Sequence, residues 1–395
     1  MHLVIAFTNL GPYHLARLRA LGAALRDNDG RLTAYEIAAV ESKYPWRTET
    51  LELNFTRKTL YPDRTLESIP GRECVHSTYQ ELERDRPDAV AICGYARPET
   101  LSLLAWSERR SRPAILMSET QEIDHPRVWW KEAIKRRRVR RFEAALVGGP
   151  SHRDYLVKLG MPIDHIALGY NAVDHDDFAR RSDAARIDPA KRQGLPARPY
   201  FLTVNRFVPE KHLIELLDIY ANYRSALGID RAWDLVLVGD GPERSSLERR
   251  IKNLHLEPHV RLPGFLQTDA LIPWYAHASA FVHPSRMEPW GLVVNEAAAC
   301  GLPLLVSRRA GCAATLVPDM SDPLASSGVT FDPSDPAELL QSLIWMTNRT
   351  SEERARLGAQ ARQIAAAWGP ERFAQGMLEA LSFSGQSRSG GRAAS

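Results

Sequence analysis

Short unbroken apolar runs alternate along this chain with longer segments whose leucines recur every third or fourth position. Residues 2–8, HLVIAFT, form the first run and read as a buried strand; after the turn NLGPYH, Leu15, Leu18, Leu21 and Leu25 fall at helical spacing. The same pairing returns at DAVAICGY (88–95), at AILMS (114–118), and at ALVGG following a helix over about 130–142. A second series begins at YFLTVNRF (200–207) and continues through DLVLVGDGP, VRLPGF, ASAFVHPS and LPLLVS, each separated by a helical segment. Strands that are apolar on both faces, alternating with amphipathic helices, predict parallel sheets covered on both sides. The expected fold class is therefore α/β, with two doubly wound Rossmann-like domains facing across a cleft and ligands bound beyond the strands' carboxyl ends.

Between the two series, RRSDAARIDPAKRQGLPARP (180–199) breaks the rhythm with charge, Ala, Gly and Pro. It divides an N-terminal domain (1–180) from a C-terminal domain (200–365), with residues 181–199 as linker. A last helix is expected over 366–381, and the Ser-, Gly- and Arg-rich residues 382–395 read as a disordered tail.

Composition narrows the function classes. The chain has 395 residues, of which 44% are hydrophobic and 25% charged, ordinary for a globular protein. Cys74, Cys93, Cys300 and Cys312 are scattered and form no CxxC pair, which fits a reducing cytosol rather than a disulfide framework or zinc site. MHLVIAF is too short an apolar run for a signal peptide, and no segment approaches the ~18 apolar residues of a membrane span. A cytoplasmic, soluble protein is expected. The net charge of +3 argues against nucleic acid as a partner, leaving one local basic cluster as the sole support for that reading.

Candidate chemistry concentrates in the second half. VNRFVPEK leaves a strand with Arg206 and Lys211, a guanidinium fork and a mobile ammonium suited to a diphosphate; two ordinary surface cations are the alternative. In LVGDGPE, Gly239 and Gly241 would let backbone approach a ligand closely, although tight turns use the same residues. EPWGLVVNEAAACG (288–301) carries the sharpest question, because two acids flank an apolar run. Pro289 and Gly291 hold off helix formation until Leu292, and Leu292, Val293 and the residues on to Ala299 then read as a short buried helix whose first amides suit phosphate oxygens. Glu288 belongs to the loop and Glu296 lies about one turn into that helix. A lone buried carboxylate is costly, so Glu296 is expected to have a partner or a ligand hydroxyl.

VNRFVPEKHLIELL, VLVGDGPERSSLE, VRLPGFL, HPSRMEPWGLVVNEAAACGLPLLVS and GVTFDPSDPAEL, taken in order, resemble glycosyltransferase family 4, retaining enzymes of the GT-B fold that use nucleotide-sugar donors. WGPERFAQGML resembles the last helix of such enzymes, which crosses back to the first domain. The resemblance implies that Arg206 and Lys211 neutralise the departing diphosphate, that Glu288 stands near the donor sugar, and that Glu296 holds the ribose. It gives Gly291, Leu292 and Val293 to the turn whose amides meet phosphate or sugar. It also implies catalysis without a metal or other cofactor, and an acceptor that is a glycan or is lipid-linked, in polysaccharide or cell-surface glycan synthesis. A sugar-nucleotide epimerase or a glycosyl phosphorylase on the same fold is the alternative enzyme reading.

The first half departs from the family pattern. It has NLGPYH with the single Gly11 where many relatives have two glycines, leaving Tyr13 and His14 as acceptor candidates. Where relatives place a His after the fourth strand, SETQEIDH offers Glu119. WWKEAIKRRRVRRFEA interleaves Trp129 and Trp130 with Lys135, Arg136, Arg137 and Arg138, a composition suited to an anionic membrane surface or to an ordinary solvated helix.

Overall fold

The computed structural model describes residues 1–41 and 52–391, with side chains described as far as residue 384. The chain divides into two compact units: Met1–Val173 together with the segment from Trp368 onward, and Asp174–Ala367.

In the first unit the strands are β1 (His2–Phe7), β2 (Arg31–Val40), β3 (Thr56–Thr65), β4 (Ala89–Cys93), β5 (Ala114–Ser118), β6 (Ala144–Val147) and β7 (Ile166–Leu168). They lie in the order β3-β2-β1-β4-β5-β6-β7, and every pairing is parallel. The connecting helices are α1 (Pro12–Arg26), α2 (Gly71–Asp85), α3 (Pro98–Arg109), α4 (Trp129–Val139) and α5 (Pro150–Lys158). β1 is buried at every position, as an apolar run without alternation requires in a sheet covered on both faces. The leucines of α1 bury against that sheet and against Phe373, Ala374, Met377 and Ala380 of the final helix.

The second unit holds β8 (Tyr200–Val204), β9 (Asp234–Val238), β10 (Val260–Gly264), β11 (Ala280–His283), β12 (Leu304–Ser307) and β13 (Gly328–Phe331), in the order β10-β9-β8-β11-β12-β13, again all parallel. Its helices are α6 (His175–Ile187), α7 (Leu213–Leu227), α8 (Arg244–Asn253), α9 (Thr268–His277), α10 (Leu292–Ala299), α11 (Ala313–Leu316), α12 (Pro336–Thr347) and α13 (Ser351–Ala366). The last helix, α14 (Pro370–Gly391), returns to the first unit.

The division falls between Val173 and Asp174, ahead of the segment 181–199 that composition assigns to a linker. The front of that segment is the second half of α6, which buries Phe178, Ser182 and Ala185 and packs on α9 and α10. Phe178 meets Tyr275 edge-on, and Arg186 donates to the carbonyls of Ala276 and Cys300. Its many charged residues, most of them on the exposed side, mask a narrow packing stripe, which is why composition alone reads the segment as linker.

At the other end, α14 runs through 382–391 instead of stopping at 381. Ser382 and Ser384 return hydrogen bonds to the carbonyls of Glu379 and Leu381, while Leu381 and Phe383 pack on the first unit's core. Residues 392–395 of the expected tail lie outside the described residues.

Candidate functional site

Strand order in the second unit reverses between β8 and β11: the chain winds from β8 to β9 and β10 on one side, then returns to β11 and continues on the other. Connections leave in opposite directions at such a point and open a crevice beyond the strand ends. Two loops meet there. After β8, the short helical turn Pro209–Lys211 delivers Lys211, and His212, in the left-handed region at φ 59°, starts α7. After β11, whose last residue is His283, the loop carries Glu288 and ends at Gly291.

Lys211 Nζ and His283 Nε2 both approach Oε2 of Glu288, the histidine at 3.0 Å. All three side chains are largely withdrawn from water: 18% exposed for Lys211, 12% for Glu288 and none for His283. Burial alone would push the Glu288 carboxyl up, but the Lys211 charge and the His283 hydrogen bond outweigh it and hold the group at about 2. Burial lowers the His283 pKa, so the ring is neutral at neutral pH. The sequence reading omitted His283; its signal is a polar residue closing the apolar strand AFVH immediately before Pro284.

The loop around Glu288 is braced from both sides. Arg286 N–H donates to the Glu210 carbonyl at 2.9 Å, and Gly311 and Cys312 donate to the carbonyls of Glu288 and Trp290 at 3.0 and 3.1 Å. Trp290 is buried, with Nε1 on Asn295 Oδ1 at 2.8 Å. Gly291 has φ 103°, and a Cβ there would stand 3.3 Å from Glu288 Cγ, so glycine serves both the turn and the space beside the acid. Leu292 and Val293 then open α10, whose first turn holds no acidic residue to oppose an anion.

Glu296 is buried within α10, and the Tyr275 hydroxyl donates to its Oε2 at 2.7 Å. This is the partner that the cost of a buried acid demands. Arg206 is exposed in the loop after β8.

The glycines of LVGDGP both admit the chain's own backbone. A Cβ on Gly239 would collide with the Asn205 carbonyl, and one on Gly241 would lie 2.5 Å from the Phe207 carbonyl. Phe207 N–H donates to Asp240 O at 2.9 Å, so the loops after β8 and β9 are clasped together.

In the first unit, strand order reverses between β1 and β4. Gly11 caps α1 with φ −84°, and its N–H donates to Nδ1 of His14 at 3.1 Å. Desolvation, helped by the nearby Arg17 charge, lowers His14 to about 3, so this ring is a neutral helix cap at physiological pH. Tyr13 is half-buried in the same turn, and Glu119 is half-buried just past the end of β5. Its carboxylate supports the charge of Arg17, a guanidinium only 2% exposed that donates to the Ala172 carbonyl at 3.0 Å. Arg17 was missed because it reads as one more polar position on an amphipathic helix.

On α4, Trp129 is 82% exposed, and Trp130, Ile134, Arg136 and Arg137 are exposed beside it. Lys135 instead turns to Glu132 and Tyr155, and Arg138 reaches the Tyr95 carbonyl at 3.4 Å. Half of the predicted basic row is thus engaged internally. Among the described residues no cluster of three or more His, Cys, Asp or Glu side chains suits a metal ion, and no helix is long and apolar enough to cross a membrane.

Two parallel doubly wound sheets with a returning C-terminal helix define the GT-B class of glycosyltransferase fold. Solved structures agree: HepE from Anabaena, in complex with UDP and glucose, superposes with TM-score 0.70 at 18% identity over 97% of this chain and 99% of that one. A glycosyltransferase from Rickettsia africae gives 0.71 at 12% identity, covering 97% and 98%. Residues 187–364 match the family described as glycosyl transferases group 1, and this stretch, most of the second unit, is a group 1 glycosyl transferase domain.

Among curated relatives, sulfoquinovosyl transferase SQD2 of Arabidopsis thaliana is 29% identical over 211 residues, 53% of this chain and 38% of its own length. A GDP-mannose-dependent alpha-(1-6)-phosphatidylinositol monomannoside mannosyltransferase of Mycolicibacterium smegmatis is 32% identical over 162 residues, 39% of this chain and 41% of its own. The chain thus spans about two fifths of the length of these relatives.

The depressed carboxyl has a consequence for stability. A group whose folded pKa lies below its unfolded value stabilises the fold above the unfolded value, and that contribution is lost as pH falls through the folded one. Glu288 is therefore expected to withdraw stability between its ordinary 4.5 and about 2. Thermal melts of wild type and Glu288→Gln across that window check it: the difference between them should shrink steadily towards the acid end. A constant difference would refute the assignment.

Proposed function

We propose that the chain is a retaining glycosyltransferase that moves a sugar from a nucleotide-sugar donor to a glycan or lipid-linked acceptor, in the synthesis of a polysaccharide or cell-surface glycan. The observation that carries this reading is the Lys211–Glu288–His283 cluster at the switch point of a group 1 domain. The bond from the sugar's anomeric carbon to the diphosphate oxygen breaks, leaving oxocarbenium character on the sugar and negative charge on the phosphate. Lys211, Arg206 and the Leu292 and Val293 amides at the positive end of α10 receive that charge as it develops, an effect commonly worth several kcal/mol. Glu288 stabilises the sugar, and Glu296 takes the donor's ribose hydroxyls. The acceptor oxygen bonds on the face the phosphate leaves, and its proton passes to the departing phosphate, so no metal is required.

On this reading Gly11, Tyr13, His14 and Glu119 line the acceptor side or meet the donor sugar. His14 acts through its shape and cap, because its low pKa suits it poorly to proton transfer at neutral pH.

Screening UDP-, GDP- and ADP-sugars for donor turnover, with analysis of products, tests the proposal. Sugar transfer or slow donor hydrolysis is expected. Conversion of the nucleotide sugar to an epimer, or phosphorolysis of a glycan, would favour the alternative enzymes.

A lipid-linked acceptor, suggested by the name of the mycobacterial relative, agrees with the exposed face of α4. Trp129, Trp130 and Ile134 with flanking Arg136 and Arg137 suit the headgroup region of an anionic bilayer at the cytoplasmic side. The full chain is expected to float with phosphatidylglycerol-containing liposomes, and Arg136→Glu/Arg137→Glu is expected to stay behind. Equal flotation of the two, or of neither, would end the membrane assignment.

A further inference from the structure

Lys211 and His283 reach the same oxygen of Glu288 from opposite sides of the switch point, one from the loop after β8 and the other from the end of β11. The two donors differ in kind. Lysine is a mobile charge on a flexible stem. His283 is fully buried, stacked on Phe281 with ring planes 11° apart, and its Nε2 also lies 3.2 Å from Ser285 Oγ. A carboxylate only accepts, so the proton on this ring sits at Nε2 and is donated to Glu288. Nδ1 is buried without a hydrogen-bond partner, leaving the ring nothing else to turn towards.

A diphosphate offered to Lys211 competes with Glu288 for the ammonium, because both are anions seeking one cation. The neutral imidazole is not part of that competition. We propose that His283 is the positioning residue of this site, holding the Glu288 carboxylate in place while Lys211 turns to the donor's diphosphate, and that Glu288 is a built-in competitor for Lys211. The proposal rests on the nucleotide-sugar reading above and adds to it an order of events: phosphate takes the lysine, histidine keeps the acid.

The test uses the full chain with UDP and GDP as bare diphosphate probes, titrated by calorimetry, alongside steady-state turnover of whichever nucleotide sugar the wild type consumes. Glu288→Gln removes the competing charge and is expected to bind the diphosphate ~3- to 10-fold more tightly. Unchanged or weaker binding overturns the competition. His283→Leu is expected to keep diphosphate affinity within about twofold while kcat falls on the order of 10- to 100-fold, since a misplaced group costs rate before binding. His283→Asn, which retains an N–H donor, should recover part of that loss.

Parallel loss of affinity and kcat in His283→Leu, with no recovery in His283→Asn, would mark a structural role and overturn the positioning assignment; full activity in His283→Leu would overturn it too. Should His283→Leu not fold, the comparison of wild type with His283→Asn and Glu288→Gln still decides. Tighter diphosphate binding by Glu288→Gln in a chain that turns over no nucleotide sugar would sink the functional reading and leave the competition standing. Sugar turnover with unaltered diphosphate affinity would do the reverse.

Discussion

Glu288→Gln is expected to lower kcat by about a hundredfold or more while the protein remains folded. The charge that helps the sugar's cationic character develop disappears, and losses of this type run to ~10²–10³ in rate. Glutamine has nearly the same shape, and its amide oxygen can still accept from Lys211 or His283, so the surrounding hydrogen bonds have a replacement. The braced loop around residue 288, tied through Glu210, Gly311 and Cys312, gives the variant a fixed backbone to fold onto. Circular dichroism and thermal melts check the fold and single-turnover assays check the rate. Unchanged turnover in a folded variant would remove Glu288 from the mechanism.

The second large effect separates two cations that look alike in sequence. Lys211→Met is expected to lower both stability and donor binding. It leaves Glu288, which is mostly buried, with His283 as the donor to Oε2, and breaking a buried pair from one side costs up to about 3 kcal/mol even with some solvent access. Arg206→Ala, at an exposed position, is expected to shift stability by less than about 0.5 kcal/mol. Its cost should fall on the transition state, on the order of 2–4 kcal/mol in kcat/KM. Denaturant melts beside steady-state kinetics distinguish the two. Equal losses of donor affinity and rate in Arg206→Ala would indicate uniform binding instead of a transition-state role.

What could be read from the chain beforehand follows from what periodicity encodes. β5 (Ala114–Ser118) matches its expected bounds because a fully buried strand carries an apolar run, and α10 (Leu292–Ala299) matches because its mostly buried sequence, with Asn295 and Glu296 as the polar exceptions, is bounded by turn residues on both sides. β2 and β3 were harder. β2 contains Glu36, a fully buried acid that is satisfied only across the fold by Leu10 N–H, Arg57 and Thr59. β3 is a polar edge strand containing Pro62, tolerated there because an edge leaves one side of the ladder unpaired.

The same limit applies to the site. The order of motifs pointed to Lys211 and Glu288, and both stand in one cluster. The polar residue closing AFVH flags His283 without giving it a role, and nothing local distinguishes Arg17 from a solvated helix position. Each becomes visible only when tertiary structure removes water from it: His283 wholly, Arg17 to 2%. Gly239 and Gly241 show the converse. Their motif was plain, yet the neighbouring loop that packs against both is one no spacing rule names.

The return of α14 reverses the usual order of assembly during synthesis. The unit built from Asp174–Ala367 is one continuous stretch and can consolidate as soon as it clears the ribosome. The unit that begins the chain is completed only later, because Phe373, Ala374, Met377 and Ala380 belong to the same buried cluster as Leu18 and Leu21. At ~5–20 residues per second, the earliest-made leucines wait roughly twenty seconds or more for their partners, and nascent chains stalled before residue 370 should recruit chaperones through that uncovered helix.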